Sequence, residues 1–168
     1  MSGALGSVGP QGRARRKDRV LPENEAWGLL EGGEFGTLAM CAPNGGAHAV
    51  ALNYVVRKGS LYFHCAHEGY KIDCLRSNAK VCFSVVLQCQ VLPDVVSTAY
   101  KSVTVYGEAA LVDEISEKHA ALAALMRKYT PMSEEEADAY AQKRISEPAV
   151  IRMSVDVLSG KCRPLPQK

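Results

Sequence analysis

The sequence lacks the features that define several large classes of protein. No apolar run approaches the ~20 residues that a helix needs to cross a membrane, and no apolar segment follows the N-terminal charges as it would in a secretory signal. The formal net charge is only +2, which gives no general case for nucleic-acid binding. We therefore expect a protein that binds neither a membrane nor a nucleic acid.

The cysteines have no spacing that indicates a disulfide framework or a zinc site. There are six of them, and no CxxC pair occurs. His64 and His67 flank Cys65, but in a strand their side chains point to different faces, and no third ligand is near in sequence. We therefore expect no metal site, and we expect a cytoplasmic protein with reduced thiols. Four of the cysteines lie in apolar, strand-like runs, where they act as small hydrophobic residues: Cys41, Cys65, Cys82 and Cys89.

The length of 168 residues suffices for one domain with a real hydrophobic core. Residues 1–14 contain glycine, serine and proline without periodicity and predict a disordered N-terminal extension. We expect the folded domain to cover residues 15–163, with a short tail at 164–168. Much of the positive charge lies between Arg13 and Arg19. This run predicts a solvated basic arm or an arm that folds over a phosphate.

Alternating apolar and polar residues predict six strands, with turns at glycine and proline such as Pro43 to Gly46. Helical spacing predicts one helix after Pro22, another from Ser116 and a third from Ser133. The predicted class is α+β, a small, mainly antiparallel barrel with peripheral helices. The predicted strands cover residues 35–41, 47–56, 61–66, 80–89, 101–113 and 148–157.

The strongest local signal lies in residues 61–78, which read as a strand, a tight turn at Gly69 and a short helix closed by Asn78. Free backbone N–H groups and the positive end of a helix dipole are suited to bind a phosphate. Lys71 lies in the first turn of this helix, where a cation is unfavourable unless an anion compensates it. His64 and Lys71 are therefore candidate phosphate ligands. The alternatives are an ordinary strand histidine and a solvated helix lysine.

Four segments resemble one known family in a single register. They are Arg15-Arg-Lys-Asp-Arg19, Ala49-Val-Ala-Leu-Asn-Tyr54, Tyr62-Phe-His-Cys-Ala-His-Glu-Gly-Tyr-Lys71, and Gln90-Val-Leu-Pro93 with Tyr100-Lys-Ser-Val-Thr-Val-Tyr-Gly107. The chain resembles the nitroimidazole-resistance proteins, within the pyridoxamine 5'-phosphate oxidase-like superfamily of FMN-binding split barrels. The resemblance covers about residues 15–163. It implies a six-stranded split β-barrel with Greek-key connections.

The resemblance also implies a homodimer that holds FMN in a cleft between the subunits. His64 and Lys71 would bind the phosphate, and the turn at Gly69 would supply backbone donors. Tyr100 and Ser102 would reach the cofactor shared with the partner subunit. Four residues would contact the isoalloxazine ring through their main chains: Val50, Ala51, Leu52 and Asn53.

The implied activity is flavin-dependent reduction of a nitroimidazole, a nitroaromatic compound or a related electron-poor small molecule, with NAD(P)H as a candidate electron donor. We expect the substrate in a pocket near His64, His67 and the loop at residues 91–98. Histidine is a common proton donor near neutral pH, and His67 is the candidate catalytic residue because His64 is expected to hold the phosphate. In the alternative interpretation, His67 is a turn residue that faces water and has no catalytic role.

A second class of function is a non-catalytic split barrel. Such a protein would store or sense a flavin, or would bind haem through His48, His64 or His67 as an axial ligand. The phosphate turn favours the flavin reductase. The colour of the purified protein separates the two, since a flavoprotein is yellow and a haem protein red-brown.

Overall fold

Residues 15–166 are described by a computed structural model, and within them the chain forms four helices and eight antiparallel strands. The predicted extension at residues 1–14 and the last two residues of the predicted tail lie outside the described residues. The helices are α1 (Glu23–Gly32), α2 (Tyr70–Ser77), α3 (Ile115–Tyr129) and α4 (Glu134–Lys143). The strands are β1 (Phe35–Cys41), β2 (Ala47–Asn53), β3 (Val55–Arg57), β4 (Ser60–Cys65), β5 (Lys80–Leu92), β6 (Ser97–Leu111), β7 (Ala149–Met153) and β8 (Val157–Arg163).

The α+β class, the antiparallel sheet and the peripheral helices are confirmed, but the described residues contain eight strands where the sequence predicts six. The predicted strand at 47–56 divides at the buried Tyr54 into β2 and β3, because the chain leaves β1 there and pairs with β4 instead. The predicted last strand ends at Met153, and β8 follows as a separate strand. The predicted loop at 91–98 is mostly the end of the β5–β6 hairpin.

The sheet runs in the order β2-β1-β5-β6-β7-β4-β3, does not close, and branches at the long strand β6, where β8 also pairs. The first half of β6 pairs with β8 as far as Tyr106, whereas Ala109 to Leu111 pair with β7. Gly107 lies at this change of partner. A Cβ atom there would stand 2.0 Å from the carbonyl oxygen of Ser154, so only glycine allows the close approach. The change of partner on β6 therefore has a direct steric requirement for glycine at this position.

The main core lies inside the curved sheet. Every second residue of β5 points into it, which is why the run from Val81 to Val85 is apolar on one face only. The rings of Tyr54, Phe63 and Phe83 meet at its centre, with Phe83 4.8 Å from Tyr54 and 5.1 Å from Phe63 between ring centroids. Residues of α1 and α2 close the same core.

The other two helices, α3 and α4, pack against each other, and α3 covers β3, β4 and β7. A smaller apolar cluster joins these two helices to β4 and β7. Tyr62 belongs to this cluster, and its hydroxyl donates to Glu117 at 2.7 Å. The helix predicted from Ser133 has the expected capping box, in which Ser133 and Glu136 exchange hydrogen bonds. No helix among residues 15–166 is long and apolar enough to cross a membrane.

Candidate functional site

The turn predicted at Gly69 is present as the start of α2. Gly69 is its N-cap residue, with φ +122° and ψ 164°, and provides no side-chain cap. The N–H groups of Ile72 and Asp73 bond to the Gly69 carbonyl at 2.8 and 3.3 Å. The N–H groups of Tyr70 and Lys71 have no acceptor among the described residues. The helix therefore presents free donors to open space, since no atom lies within 4 Å of a Cβ placed on Gly69.

Lys71 lies beside Cys65, the last residue of β4. Burial raises the pKa of the Cys65 thiol, and the Lys71 ammonium acts against this by favouring the thiolate. This electrostatic coupling places the lysine charge at the junction between β4 and α2. An anion bound at the start of α2 would therefore meet the Lys71 charge together with the free N–H groups.

The start of α2 also touches β2. The ring of Tyr70 packs edge-on against His48, with centroids 5.0 Å apart and planes at 76°. Residues Val50 and Leu52 point toward the core, whereas Ala51 and Asn53 are exposed. The side-chain amide of Asn53 donates to the Glu34 carbonyl at 3.1 Å, so the end of β2 is fixed.

Strand β2 is an edge of the sheet, because it pairs with β1 and, among the described residues, with no other strand. An edge strand has N–H and C=O groups on its outer side that no neighbouring strand satisfies. Main-chain contacts from residues 50–53 to a flat polar ring are therefore sterically available. The free edge and the start of α2 are neighbours and together form the candidate cofactor site.

His64 and Cys65 are neighbours at the end of β4, and both line one cavity. Alternation along the strand puts His64 on the face of Tyr62 and Cys65 on the core face with Phe63. The exposed His64 ring lines a cavity of about 340 Å³ with residues of α3 and α4, among them Leu122 and Arg144, and Lys71 is not in its lining. No contact within residues 15–166 joins His64 to Lys71, so a shared phosphate role for the two remains a prediction.

His67 is turned toward the connection between α4 and β7. Its Nε2 atom lies 3.1 Å from the Ser146 carbonyl oxygen, and because that oxygen only accepts, Nε2 carries the proton. The ring lines a second cavity, of about 330 Å³, with Asp113 and Lys118. No residue of α2 lines this cavity or the one beside His64.

Tyr100 and Ser102 lie far along the sheet from α2. Tyr100 pairs with Cys89 on β5, nine residues after Lys80, which follows α2. Because a strand rises about 3.3 Å per residue, that separation is up to about 30 Å. Ser102 pairs with Lys161 on the other side of β6. One chain does not bring these residues to the start of α2, so their predicted role requires a second copy.

Sequence reasoning did not find the network that fixes the end of β2. The Lys128 ammonium donates to the Gly33 carbonyl at 2.6 Å and lies 4.2 Å from the centre of the Tyr54 ring. The Tyr129 hydroxyl accepts from the Tyr54 N–H at 3.0 Å and also bonds the Glu34 carbonyl. These residues are separated by up to 95 positions in sequence, and no local pattern links them.

The residues present fit a flavin that carries a phosphate. The free N–H groups of α2 and the charge of Lys71 suit the phosphate, and the exposed edge of β2 suits the ring. A metal-dependent site has no comparable support, since no group of three His, Cys, Asp or Glu side chains within residues 15–166 is arranged to hold an ion.

The chain matches the family model described as pyridoxamine 5'-phosphate oxidase over residues 22–162. No curated protein matches the chain.

Three solved structures illustrate the similarity in fold. A conserved hypothetical protein of Mycobacterium tuberculosis has a TM-score of 0.79 at 21% identity, covering 93% of this chain and 96% of that one. A candidate 5-nitroimidazole antibiotic resistance protein of Bacteroides thetaiotaomicron has a TM-score of 0.69 at 22% identity, covering 84% and 85%. An FAD-binding protein of Mesorhizobium loti has a TM-score of 0.59 at 24% identity, covering 84% and 95%. At these identities the likeness establishes the fold.

Proposed function

The chain belongs to the pyridoxamine 5'-phosphate oxidase family, and from that membership we propose that it binds FMN between two copies of itself and serves in the reduction of nitro compounds. The observation that carries the proposal is the start of α2, where free N–H groups and Lys71 stand beside the open edge of β2. The names of two similar proteins support it, one being FAD-binding and the other a candidate 5-nitroimidazole resistance protein.

The chain's own residues would bind and orient the cofactor. Lys71 and the N–H groups of Tyr70 and Lys71 would hold one phosphate monoester, which favours FMN. The main chain of residues 50–53 would align the ring, and the Asn53 bond to Glu34 would keep that edge rigid. When bound, FMN supplies the electron-transfer chemistry, so no protein side chain need be a redox group.

A second copy of the chain is part of the proposal. On β1, β2, β5 and β6 one face is exposed or half-buried and carries small side chains together with the exposed apolar Phe35 and Val86, while the helices close the opposite face. Thr37 stands between Ala51 and Ser84 across the strands, which makes this face flat. Such a face lets another sheet approach closely. It would bring Tyr100 and Ser102 of one copy toward the β2 edge of the other. The face includes Thr37, Ala39, Ala49, Ala51, Ser84 and Thr104.

We assign to His67 the role of donating a proton to the nitro group as it is reduced. His64 serves as the comparison. Both rings line cavities near the end of β4, and because the Nε2 proton of His67 is donated to the Ser146 carbonyl, Nδ1 is the nitrogen from which a proton would pass to the substrate. The test is to reduce the bound flavin chemically without oxygen, add a nitroimidazole, and follow reoxidation in wild type, His67→Ala and His64→Ala. A flavin that stays reduced in wild type rejects nitroreduction. Equal rates in wild type and His67→Ala reject His67 as the donor.

Cofactor identity is tested separately, before any turnover. The protein as isolated should be yellow, and it should bind FMN more tightly than riboflavin, because only FMN offers a phosphate to the start of α2. Equal affinity for the two would remove the phosphate role. A red-brown protein that releases haem would instead support the haem-binding alternative.

A further inference from the structure

A second group of cations lies away from the start of α2, where the N-terminal segment crosses the end of β8. Arg16, Arg19 and Arg163 line an open cleft of about 620 Å³, together with one carboxylate, Asp18. We call these residues the cationic cleft. The proposed FMN site uses none of them.

The backbone fixes the position of this cleft. Residues 17–19 form a turn of 3₁₀ helix, and Val20 then pairs with Lys161 of β8. The N–H of Leu21 donates to the Gly160 carbonyl at 3.0 Å. The N-terminal segment is therefore held against β8, so Arg16 and Arg19 stand over Arg163 as a consequence of the fold.

The charges in the cleft are not balanced within the described residues. Arg16 bonds Asp18 through two nitrogens, the shorter contact being 2.5 Å. Arg19 and Arg163 have no hydrogen-bond or ion-pair partner for their side chains within residues 15–166. Gathering like charges without a partner is unfavourable, and a bound anion would relieve it.

The ring of Tyr100, a residue that the proposed dimer also brings toward FMN, lies beside this cleft and is not part of its lining. Tyr100 pairs directly with Arg163 across β6 and β8 and is half-buried. The pKa of Arg16 is raised, chiefly by its hydrogen bond to Asp18 and to a small extent by Tyr100, which places Tyr100 close to that guanidinium. Guanidinium groups bind phosphates in pairs of hydrogen bonds, and an aromatic ring beside them gives a base a surface for stacking.

We propose that the cationic cleft binds the phosphate groups of a nucleotide, with Arg19 and Arg163 on the phosphates and Tyr100 against the base. Two sources share this chemistry: a pyridine nucleotide that donates electrons, and the adenylate half of a dinucleotide flavin. The role of the bound nucleotide in the protein's activity rests on the proposed flavin-dependent reduction, whereas nucleotide binding by the cleft does not.

Direct binding tests the proposal. The probes are 2′,5′-ADP and ADP, titrated calorimetrically into the full chain at low ionic strength. Arg19→Gln and Arg163→Gln should each weaken binding at least about tenfold, as expected for the loss of a charge-assisted contact. Tyr100→Phe should keep the affinity and Tyr100→Leu should lower it. The matched control is Arg57→Gln, which removes a cation from a different polar cleft near β3 and should change nothing.

The outcomes separate the sources and the two proposals. Tighter binding of 2′,5′-ADP than of ADP assigns the cleft to NADPH, whose adenosine carries a 2′-phosphate, and the reverse order assigns it to an adenylate without that phosphate; a following titration with NADH and FAD then separates the pyridine nucleotide from the dinucleotide flavin. No binding of either probe overturns the inference, as does equal weakening by Arg57→Gln. Because neither probe contains a flavin, a protein that binds them without binding FMN would reject the proposed function and leave this inference standing. Binding should also weaken as salt is raised.

Discussion

At the scale of single residues, Lys71 is the side chain on which cofactor binding most depends. Its ammonium stands at the start of α2 beside Cys65, in a position that an anion would make favourable. We predict that Lys71→Ala weakens FMN binding by about 1.5–3 kcal/mol, the range for a charge-assisted hydrogen bond. Quenching of FMN fluorescence on titration measures this directly.

The control for Lys71 is Lys143→Ala, which removes an exposed lysine from α4 without a described partner. It should leave FMN affinity within error of wild type. If Lys71→Ala behaves in the same way as this control, the lysine faces solvent and the phosphate role fails.

The two histidines illustrate what local pattern can and cannot provide. Alternation along β4 was sufficient to place His64 on the face of Tyr62 and Cys65 on the core face. That alternation does not indicate which other segments of the chain pack against each face of β4. That α3 and α4 line the His64 cavity, and that Ser146 receives the His67 proton, depends on packing between distant segments.

At the scale of elements, the start of α2 depends on one backbone conformation. Gly69 has φ +122° and ψ 164°, a region that is essentially restricted to glycine. We predict that Gly69→Ala lowers the free energy of unfolding by about 1–3 kcal/mol through backbone strain alone, since open space surrounds the new methyl group. It should also weaken FMN binding by shifting the helix start. Urea unfolding and FMN titration measure the two effects.

Gly28→Ala is the matched substitution in α1, where a Cβ also meets nothing within 4 Å. In a helix interior alanine is favoured over glycine by about 0.5–1 kcal/mol, so this variant should gain stability. Equal stability of Gly69→Ala and wild type would show that position 69 tolerates an ordinary residue.

The start of α3 should make stability depend on pH. Glu114 caps this helix, and its pKa is lowered from the ordinary 4.5, first by the Ser116 hydroxyl and then by the N–H groups of Ser116 and Glu117. A lowered folded-state pKa means that the contribution is complete above 4.5 and is lost as pH falls through the lower value. Glu114→Gln should therefore lower Tm at neutral pH and flatten its fall in acid. Glu31→Gln, in α1, should keep the wild-type slope, and an unchanged slope in Glu114→Gln would contradict the prediction.

Most elements were predictable because their signals are local. The capping box at Ser133, the turn at Gly45 and the bend at Gly107 each follow from one or two residues. Strand β8 was missed, because it pairs with β6 more than fifty residues away and carries no clean alternation. The division between β2 and β3 was also missed, since it is imposed by the change of partner at Tyr54 rather than by a turn residue.

At the scale of the whole molecule, the sheet is open, and the helices of the chain cover only one of its faces. The chain's own core uses one set of alternate residues of β5 and β6, such as Phe83 and Val105, and the other face carries small and polar side chains together with Val86, which is 62% exposed. A second sheet can still approach closely, because small side chains leave the backbone accessible.

We predict that dimerisation and FMN binding fail together. Thr104→Arg places a long cation at the centre of the flat face, where Thr104 pairs with Ser84 and Ser159. It should shift the protein from dimer to monomer in sedimentation and lower FMN loading, while Gln142→Arg on the exposed side of α4 should change neither. FMN should raise Tm in wild type more than in Thr104→Arg, because a ligand stabilises only the state that binds it. A stable monomer fully loaded with FMN would contradict the shared site, since the start of α2 and the β2 edge of one chain would then suffice.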